Sequence, residues 1–185
     1  MKNPYSHARI AIGLMIGLRP GEVLGLKWDD LNYENKTLTI ESQVQTVSSG
    51  SLEFQSVKQG QIRTVPLTES HVKILLTHKR YQALNRANWK VNENLLFLNS
   101  IGGKLDERKD RKEFKKLPSA AGVPDYQLYQ LRKAAFTNMA HQTDIRTLQA
   151  FSGHSEESTL IRSYVFPTEE SMLRAVSGMD KLRPK

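Results

Sequence analysis

The spacing of apolar residues changes several times along the chain, and each change predicts an element. Between Pro4 and Leu18, the apolar positions Ile10, Leu14, Ile16 and Leu18 sit among small residues, the pattern of a buried helix. Arg19-Pro20-Gly21-Glu22 interrupts that pattern. Proline is tolerated in a first helical turn, where its missing N–H has no partner to lose, so a second helix is predicted over Pro20–Leu26. Asn32–Lys36 reads as a turn. Within Thr37–Val47, Leu38, Ile40 and Val44 keep the two-residue period of a half-buried strand. Two further short strands are predicted near Phe54–Val57 and Gln61–Pro66, joined by Lys58-Gln59-Gly60 in a tight hairpin whose glycine suits the turn.

Helical spacing returns after Thr68, where Val72, Leu75, Leu76 and Leu84 recur as far as Arg86. Leu95–Leu98 is a short apolar stretch. Lys104–Lys116 holds seven basic and four acidic residues and is expected to form an exposed helix, its mixed charge reading as a solvated face ahead of a DNA contact. Helices are predicted near Leu131–His141, Ile145–Phe151, Glu157–Tyr164 and Glu169–Met179. The last would carry Met172, Ala175, Val176 and Met179 on one face. With no repeat, low-complexity segment or internal linker, the expectation is a single α+β domain, mostly helical, with a small three-stranded antiparallel sheet.

Composition narrows this picture only modestly. Lysine and arginine outnumber aspartate and glutamate 27 to 19, a net charge of +8 that favours a polyanionic partner without proving one. The absence of cysteine excludes disulfides and thiolate metal sites and suits a reducing cytoplasm. His7, His71, His78, His141 and His154 lack metal-ligand spacing, so no metal is expected. No apolar run approaches the roughly 18–20 residues of a membrane span.

Cleaving a phosphodiester without metal makes three demands: a nucleophile, cationic donors for charge on the non-bridging oxygens, and an acid for the leaving oxygen. Arginine suits the second role because its planar fork holds two phosphate oxygens and keeps its charge. Arg19 lies between two apolar helices, with Glu22 three residues on, close enough to orient it. Arg132 opens another apolar helix, His154 follows Ser152-Gly153 in a turn, Lys58 sits at the predicted hairpin tip, and Tyr164 ends a helical segment. Taken singly, each has an ordinary structural explanation: a cap, a packed ring or a solvated side chain.

Taken in order, the segments resemble the tyrosine recombinases of phage-integrase type. Gly17-Leu18-Arg19-Pro20-Gly21-Glu22-Val23-Leu24-Gly25-Leu26-Lys27-Trp28-Asp29-Asp30-Leu31 is similar to the family's first arginine box. Lys58 with Ile62-Arg63-Thr64-Val65-Pro66-Leu67 resembles the hairpin bearing the family's lysine. Leu131-Arg132, continued by Phe136-Thr137-Asn138-Met139-Ala140, resembles the second arginine box, and Leu148-Gln149-Ala150-Phe151-Ser152-Gly153-His154-Ser155 the Leu-Gly-His-Ser turn.

The resemblance implies the tyrosine-recombinase catalytic fold and site-specific recombination of a phage or mobile element. In that mechanism Tyr164 attacks the scissile phosphate to give a 3′-phosphotyrosyl bond, and Arg19 and Arg132 bind the non-bridging oxygens. Lys58 protonates the leaving 5′ oxygen, His154 hydrogen-bonds the phosphate, and Glu22 buttresses the arginines. Neither cofactor nor metal is implied. The implied partners are double-stranded DNA at attachment sites, other copies in a synaptic homotetramer, and accessory DNA-bending proteins. An isolated catalytic domain would be a candidate monomer, with no membrane partner and a cytoplasmic setting. The tail beyond Tyr164 would either pack within its own subunit or dock on a neighbour.

Tyr129 stands where the family usually has histidine, three residues before the arginine. With an ordinary pKa of about 10 a phenol is a poor base near neutrality, so a positioning role is expected. Lys133 replaces a histidine often found after that arginine and is expected, like Arg63, to contact DNA. The spacing from His154 to Tyr164 is ten, one longer than in many members. The first box begins near residue 17, which leaves no room for core-binding and arm-binding domains, so residues 1–185 are expected to be a catalytic fragment. Two other readings share parts of this pattern: a type IB topoisomerase that reseals the same strand, and a non-catalytic DNA-binding relic, which Tyr129 would suit.

Overall fold

In the first helix, α1 (Pro4–Met15), the buried face is made by Ala8, Ala11 and Ile12, and Ile16 and Leu18 continue the core beyond its end. Leu14, expected inside, is 40% exposed. It lies two residues from Ile12, roughly 200° around the helix. Arg9 takes a buried position instead. Its Nε and Nη2 both donate to Asp110 Oδ2, at 3.0 and 2.8 Å. These details come from a computed structural model that describes residues 4–57, 62–91, 93–122, 126–153 and 157–164, together with 168, 169, 172, 173, 176 and 177.

Asp110 belongs to α4 (Glu107–Phe114), the charged helix expected over Lys104–Lys116. It is only partly a solvated face, because Asp110 and Phe114 turn inward to meet α1 and the following helices. A short helix that the sequence reading did not anticipate, α5 (Lys116–Ala121), follows, with Pro118 in its first turn where proline is tolerated.

Helix α2 (Pro20–Gly25) leads through a single 3-10 turn to five strands: β1 (Leu31–Asn32), β2 (Thr37–Ile40), β3 (Ser42–Thr46), β4 (Leu52–Ser56) and β5 (Arg63–Pro66). A three-stranded antiparallel sheet is present, in the order β1-β2-β5, with Leu38 opposite Val65 as its buried cross-strand pair. Its membership differs from expectation. The predicted strand Thr37–Val47 divides at Glu41, and β3 leaves to pair with β4 in a separate two-stranded ladder. The cause is α2, which presses on β3 so closely that a Cβ on Gly25 would lie 2.7 Å from the Gln43 Cα. Ser42 Oγ also donates to the Gly25 carbonyl. Consequently β4 and β5, expected to form one hairpin, sit in different ladders, and a turn through Gly50, at φ 83°, joins β3 to β4. Residues 58–61 lie outside the described residues.

Helix α3 (Glu69–Asn85) is capped by Thr68, whose N–H donates to His71 Nδ1 at 2.9 Å. Its buried face is His71, Val72, Leu75, His78 and Gln82, whereas Leu84 is 84% exposed. Polar side chains can occupy this face because the buried stretch Leu95–Leu98 offers them carbonyls. His78 Nε2 bonds the Leu96 carbonyl at 2.6 Å, Gln82 Nε2 donates to the same oxygen, and Trp28 Nε1 donates to Gln82 Oε1. Hydrophobic spacing thus placed Val72 and Leu75 on the buried face correctly but missed His78 and Gln82, and Leu84 lies outside it.

Three helices complete the chain: α6 (Leu128–Ala140), α7 (Ile145–Ser152) and α8 (Glu157–Tyr164). Asp144 caps α7 by accepting from the Arg146 and Thr147 N–H groups. Phe136, Leu148 and Tyr164 form the buried cluster that binds the three together. Most of the predicted helix Glu169–Met179, including Ala175 and Met179, lies outside the described residues; Met172 and Val176 are exposed. No helix among the described residues is long and apolar enough to cross a membrane.

Removing one member of a buried ion pair strands the other charge. Asp110→Ala is therefore expected to lose about 3–5 kcal/mol in urea unfolding, and the double change Arg9→Met with Asp110→Leu distinctly less. Burial holds His78 below its ordinary pKa, against a smaller opposing effect of the Leu96 carbonyl. Its stabilising contribution is thus complete above the unfolded value, about 6.5, and is lost progressively as pH falls from there through the lowered folded value. Thermal unfolding of His78→Gln should decline less between roughly pH 7.5 and 5.5 than that of the unaltered protein.

Candidate active site

The last carbonyls of a helix have no partner within it, and they carry the negative end of the helix dipole. At the end of α7, three consecutive carbonyls each accept from an arginine of a different element. Phe151 accepts from Arg63 Nε at 2.9 Å, Ser152 from Arg132 Nη2 at 2.8 Å, and Gly153 from Arg19 Nη2 at 3.2 Å. Gly153 closes the helix in the left-handed region, at φ 63°. A Cβ there would also lie 2.8 Å from Arg63 Nη1, so glycine is required twice over.

Arg19 precedes the first residue of α2, where extended backbone turns its side chain back toward Glu22. Glu22 Oε2 accepts from the Arg19 N–H at 2.9 Å, and Oε1 accepts from its Nη1 at 2.6 Å. The same carboxylate takes the fork of Arg63, with Nη2 to Oε2 at 2.8 Å and Nη1 to Oε1 at 3.3 Å. Glu22 is fully buried. Burial pushes its pKa up, but Arg63 and then Arg19 outweigh it and hold the carboxyl below its ordinary value.

Arg132, in the second turn of α6, is buried over the Phe136 ring and also donates from Nη1 to the Gly17 carbonyl at 2.7 Å. Gly17 reaches that position at φ 73°, and a Cβ on it would lie 3.0 Å from Phe136. Burial, then the neighbouring Arg19 charge, lower the Arg132 pKa, with Glu22 and Tyr164 opposing. A guanidinium stays protonated regardless.

Tyr164 ends α8 and is 2% exposed, its ring tilted against Phe136 at 5.3 Å between centroids. Burial raises its pKa. A hydrogen bond with Tyr129 raises it further, while Arg132 draws it down. Tyr129 and Arg132 lie three residues apart on α6 and so share a face. Two arginines, a phenol and a second phenol thus converge at the end of α7.

The structure brings Arg19, Glu22, Tyr129, Arg132 and Tyr164 together. Lys133 stands exposed on α6. Lys58 and His154 lie outside the described residues. Arg63 departs from expectation: in place of a side chain offered to DNA, its guanidinium is turned inward to Glu22 and Phe151, with the side chain 8% exposed. Sequence reasoning also missed the carbonyls. Ser152-Gly153 marked the helix end, but nothing in the residue types showed that three arginines would meet it.

Residues 2–170 match the model of the phage integrase family. Among curated proteins, the chain is 27% identical over 182 residues to a "Tyrosine recombinase XerC-like" protein of Caldanaerobacter subterraneus subsp. tengcongensis, covering 90% of this chain and 46% of that one. It is 25% identical over 160 residues to a "Putative integrase/recombinase" of Haemophilus influenzae, covering 86% and 43%. The chain therefore spans less than half the length of these relatives. Among solved structures, the Tn1549 transposon integrase in complex with a circular intermediate DNA superimposes with a TM-score of 0.79 at 21% identity, covering 92% of this chain and 57% of that one. XerH site-specific recombinase bound to its difH substrate gives 0.67 at 23%, covering 92% and 45%. These likenesses carry the fold, tyrosine-recombinase catalytic architecture, and the family match covers nearly every residue whose geometry is described above. The chain belongs to the phage integrase family.

Proposed function

We propose that the protein cleaves and rejoins DNA strands for site-specific recombination, through a 3′-phosphotyrosyl intermediate, in the integration or excision of a phage or mobile element. The observation that carries this reading is the convergence of Arg19 and Arg132 on adjacent carbonyls, with the Tyr164 phenol against Arg132. Neutral carbonyls hold both guanidinium groups in place, and Arg19 has Glu22 as a further, charged partner. A phosphate diester is a stronger, charged acceptor, and it takes over donors already gathered for it.

In this reading the Tyr164 Oη attacks phosphorus as the bond to the 5′ oxygen breaks. The phenolic proton of Tyr164 passes to solvent water, and Lys58 gives a proton to the leaving 5′ oxygen. Arg19 and Arg132 stabilise the charge building on the non-bridging oxygens, and His154 donates to one of them. The phosphotyrosyl ester conserves the energy of the broken bond, so attack by a 5′-hydroxyl of a partner strand reverses the step and joins new ends. Tyr129 positions the nucleophile. Lys133 contacts the DNA. Double-stranded attachment-site DNA, a synaptic homotetramer and DNA-bending accessory proteins are the partners this reading requires.

The test is a set of nicked duplexes drawn from the DNA flanking the protein's own coding sequence, scored for a covalent protein–DNA adduct on a denaturing gel. The unaltered protein should trap an adduct and Tyr164→Phe none; an adduct from Tyr164→Phe would falsify the assignment. Arg132→Lys, which keeps charge but loses the fork, should slow adduct formation by about 100-fold or more. Since the bond from Tyr129 raises the Tyr164 pKa, Tyr129→Phe should move the rising limb of the pH–rate profile for cleavage to lower pH.

A further inference from the structure

Arg63 has no part in the mechanism above, yet it is one of the most heavily bonded side chains at the site. Its Nε donates to the Phe151 carbonyl and its two terminal nitrogens to both oxygens of Glu22, joining β5, α7 and α2 at one point. We infer that Arg63 is a positioning residue that frees Arg19 to bind phosphate by sharing the Glu22 carboxylate. The inference rests on the recombinase reading.

The argument is one of charge division. Glu22 is fully buried and its carboxylate serves two guanidinium groups. A carboxylate split between two cations holds each less strongly than it would hold one. Without Arg63, the whole charge of Glu22 would fall on Arg19 Nη1, already at 2.6 Å, and draw that guanidinium away from an incoming phosphate. Arg19 has the outer position, its side chain 26% exposed against 8% for Arg63, so it is the member of the pair that can meet a ligand. Arg63 also fixes the second anchor of Arg19. By holding the Phe151 carbonyl and packing against Gly153, it sets the turn whose Gly153 carbonyl accepts from Arg19 Nη2.

A positioning role predicts a loss that depends on phosphate charge, whereas a merely structural role does not. Adduct formation by the protein is compared on nicked duplexes carrying either the natural phosphate or a methylphosphonate, which lacks one charged non-bridging oxygen, at the cleavage position. Arg63→Met is expected to slow the reaction about 10- to 100-fold on phosphate and less than about 3-fold on methylphosphonate. Arg19→Ala should show the same pattern. The double variant should be no slower on phosphate than Arg19→Ala alone, since both changes remove one function. If Arg63→Met does not fold, Arg63→Lys serves, because its ammonium balances Glu22 without spanning to Phe151. It should show a smaller loss, again confined to phosphate. Equal losses on both substrates, wild-type rates in either variant, or additive losses in the double variant would overturn the role of Arg63. An unaltered protein that forms no adduct on the natural phosphate would overturn the recombinase reading, and this inference with it.

Discussion

The end of α7 organises the site. Its three terminal carbonyls lack partners within the helix, and arginines from an α2 cap, a strand and the opening of α6 supply them. Gathering three cations in so small a space would ordinarily be costly. Here the helix dipole, the carbonyl lone pairs and the buried Glu22 carboxylate offset their repulsion together. Tyr164 and Tyr129 are then placed by α8 and α6 against the innermost of these arginines. The rest of the fold keeps α2, β5 and α6 aimed at that one helix end.

Close approach of backbones makes this possible. Gly17 admits the Phe136 ring, Gly25 lets α2 lie on β3, and Gly153 accepts the Arg63 guanidinium. A Cβ at these positions would lie 3.0 Å from the Phe136 ring, 2.7 Å from Gln43 Cα and 2.8 Å from Arg63 Nη1, so each glycine leaves room for its neighbour. The glycines of the arginine box and of the Ser152-Gly153 turn are therefore packing requirements of the charged site as much as turn formers.

Element positions were legible in the sequence where the hydrophobic period was clear: α1, α2, α3, α7 and α8 lie within a few residues of expectation. Errors arose where burial did not follow hydrophobicity. His78 and Gln82 share the inner face of α3 with Val72 and Leu75, bonded to the Leu96 carbonyl, and Arg9 with Asp110 entered the core as a pair. Strand pairing failed for another reason: register across a sheet depends on what packs on it, and α2 splits the strand at Glu41. At the site, motif order identified Arg19, Glu22, Arg132 and Tyr164 as neighbours, but Arg63 was misjudged. An arginine's residue type says only that it seeks anions or carbonyls; whether these belong to the protein or to a ligand is a matter of three-dimensional placement.

The contacts that assemble the arginine cluster are among the longest in sequence. Arg132 meets Gly17 across 115 positions, Arg63 meets Phe151 across 88, and Arg19 meets Gly153 across 134. Pairings of such separation close late, after local helices and hairpins have formed. A nascent chain still short of residue 151 holds Arg19, Glu22 and Arg63 but none of the three carbonyls, and Tyr164 has not yet been made. Topology thus withholds the assembled arginine cluster until the segment through the end of α7 has been synthesised and folded.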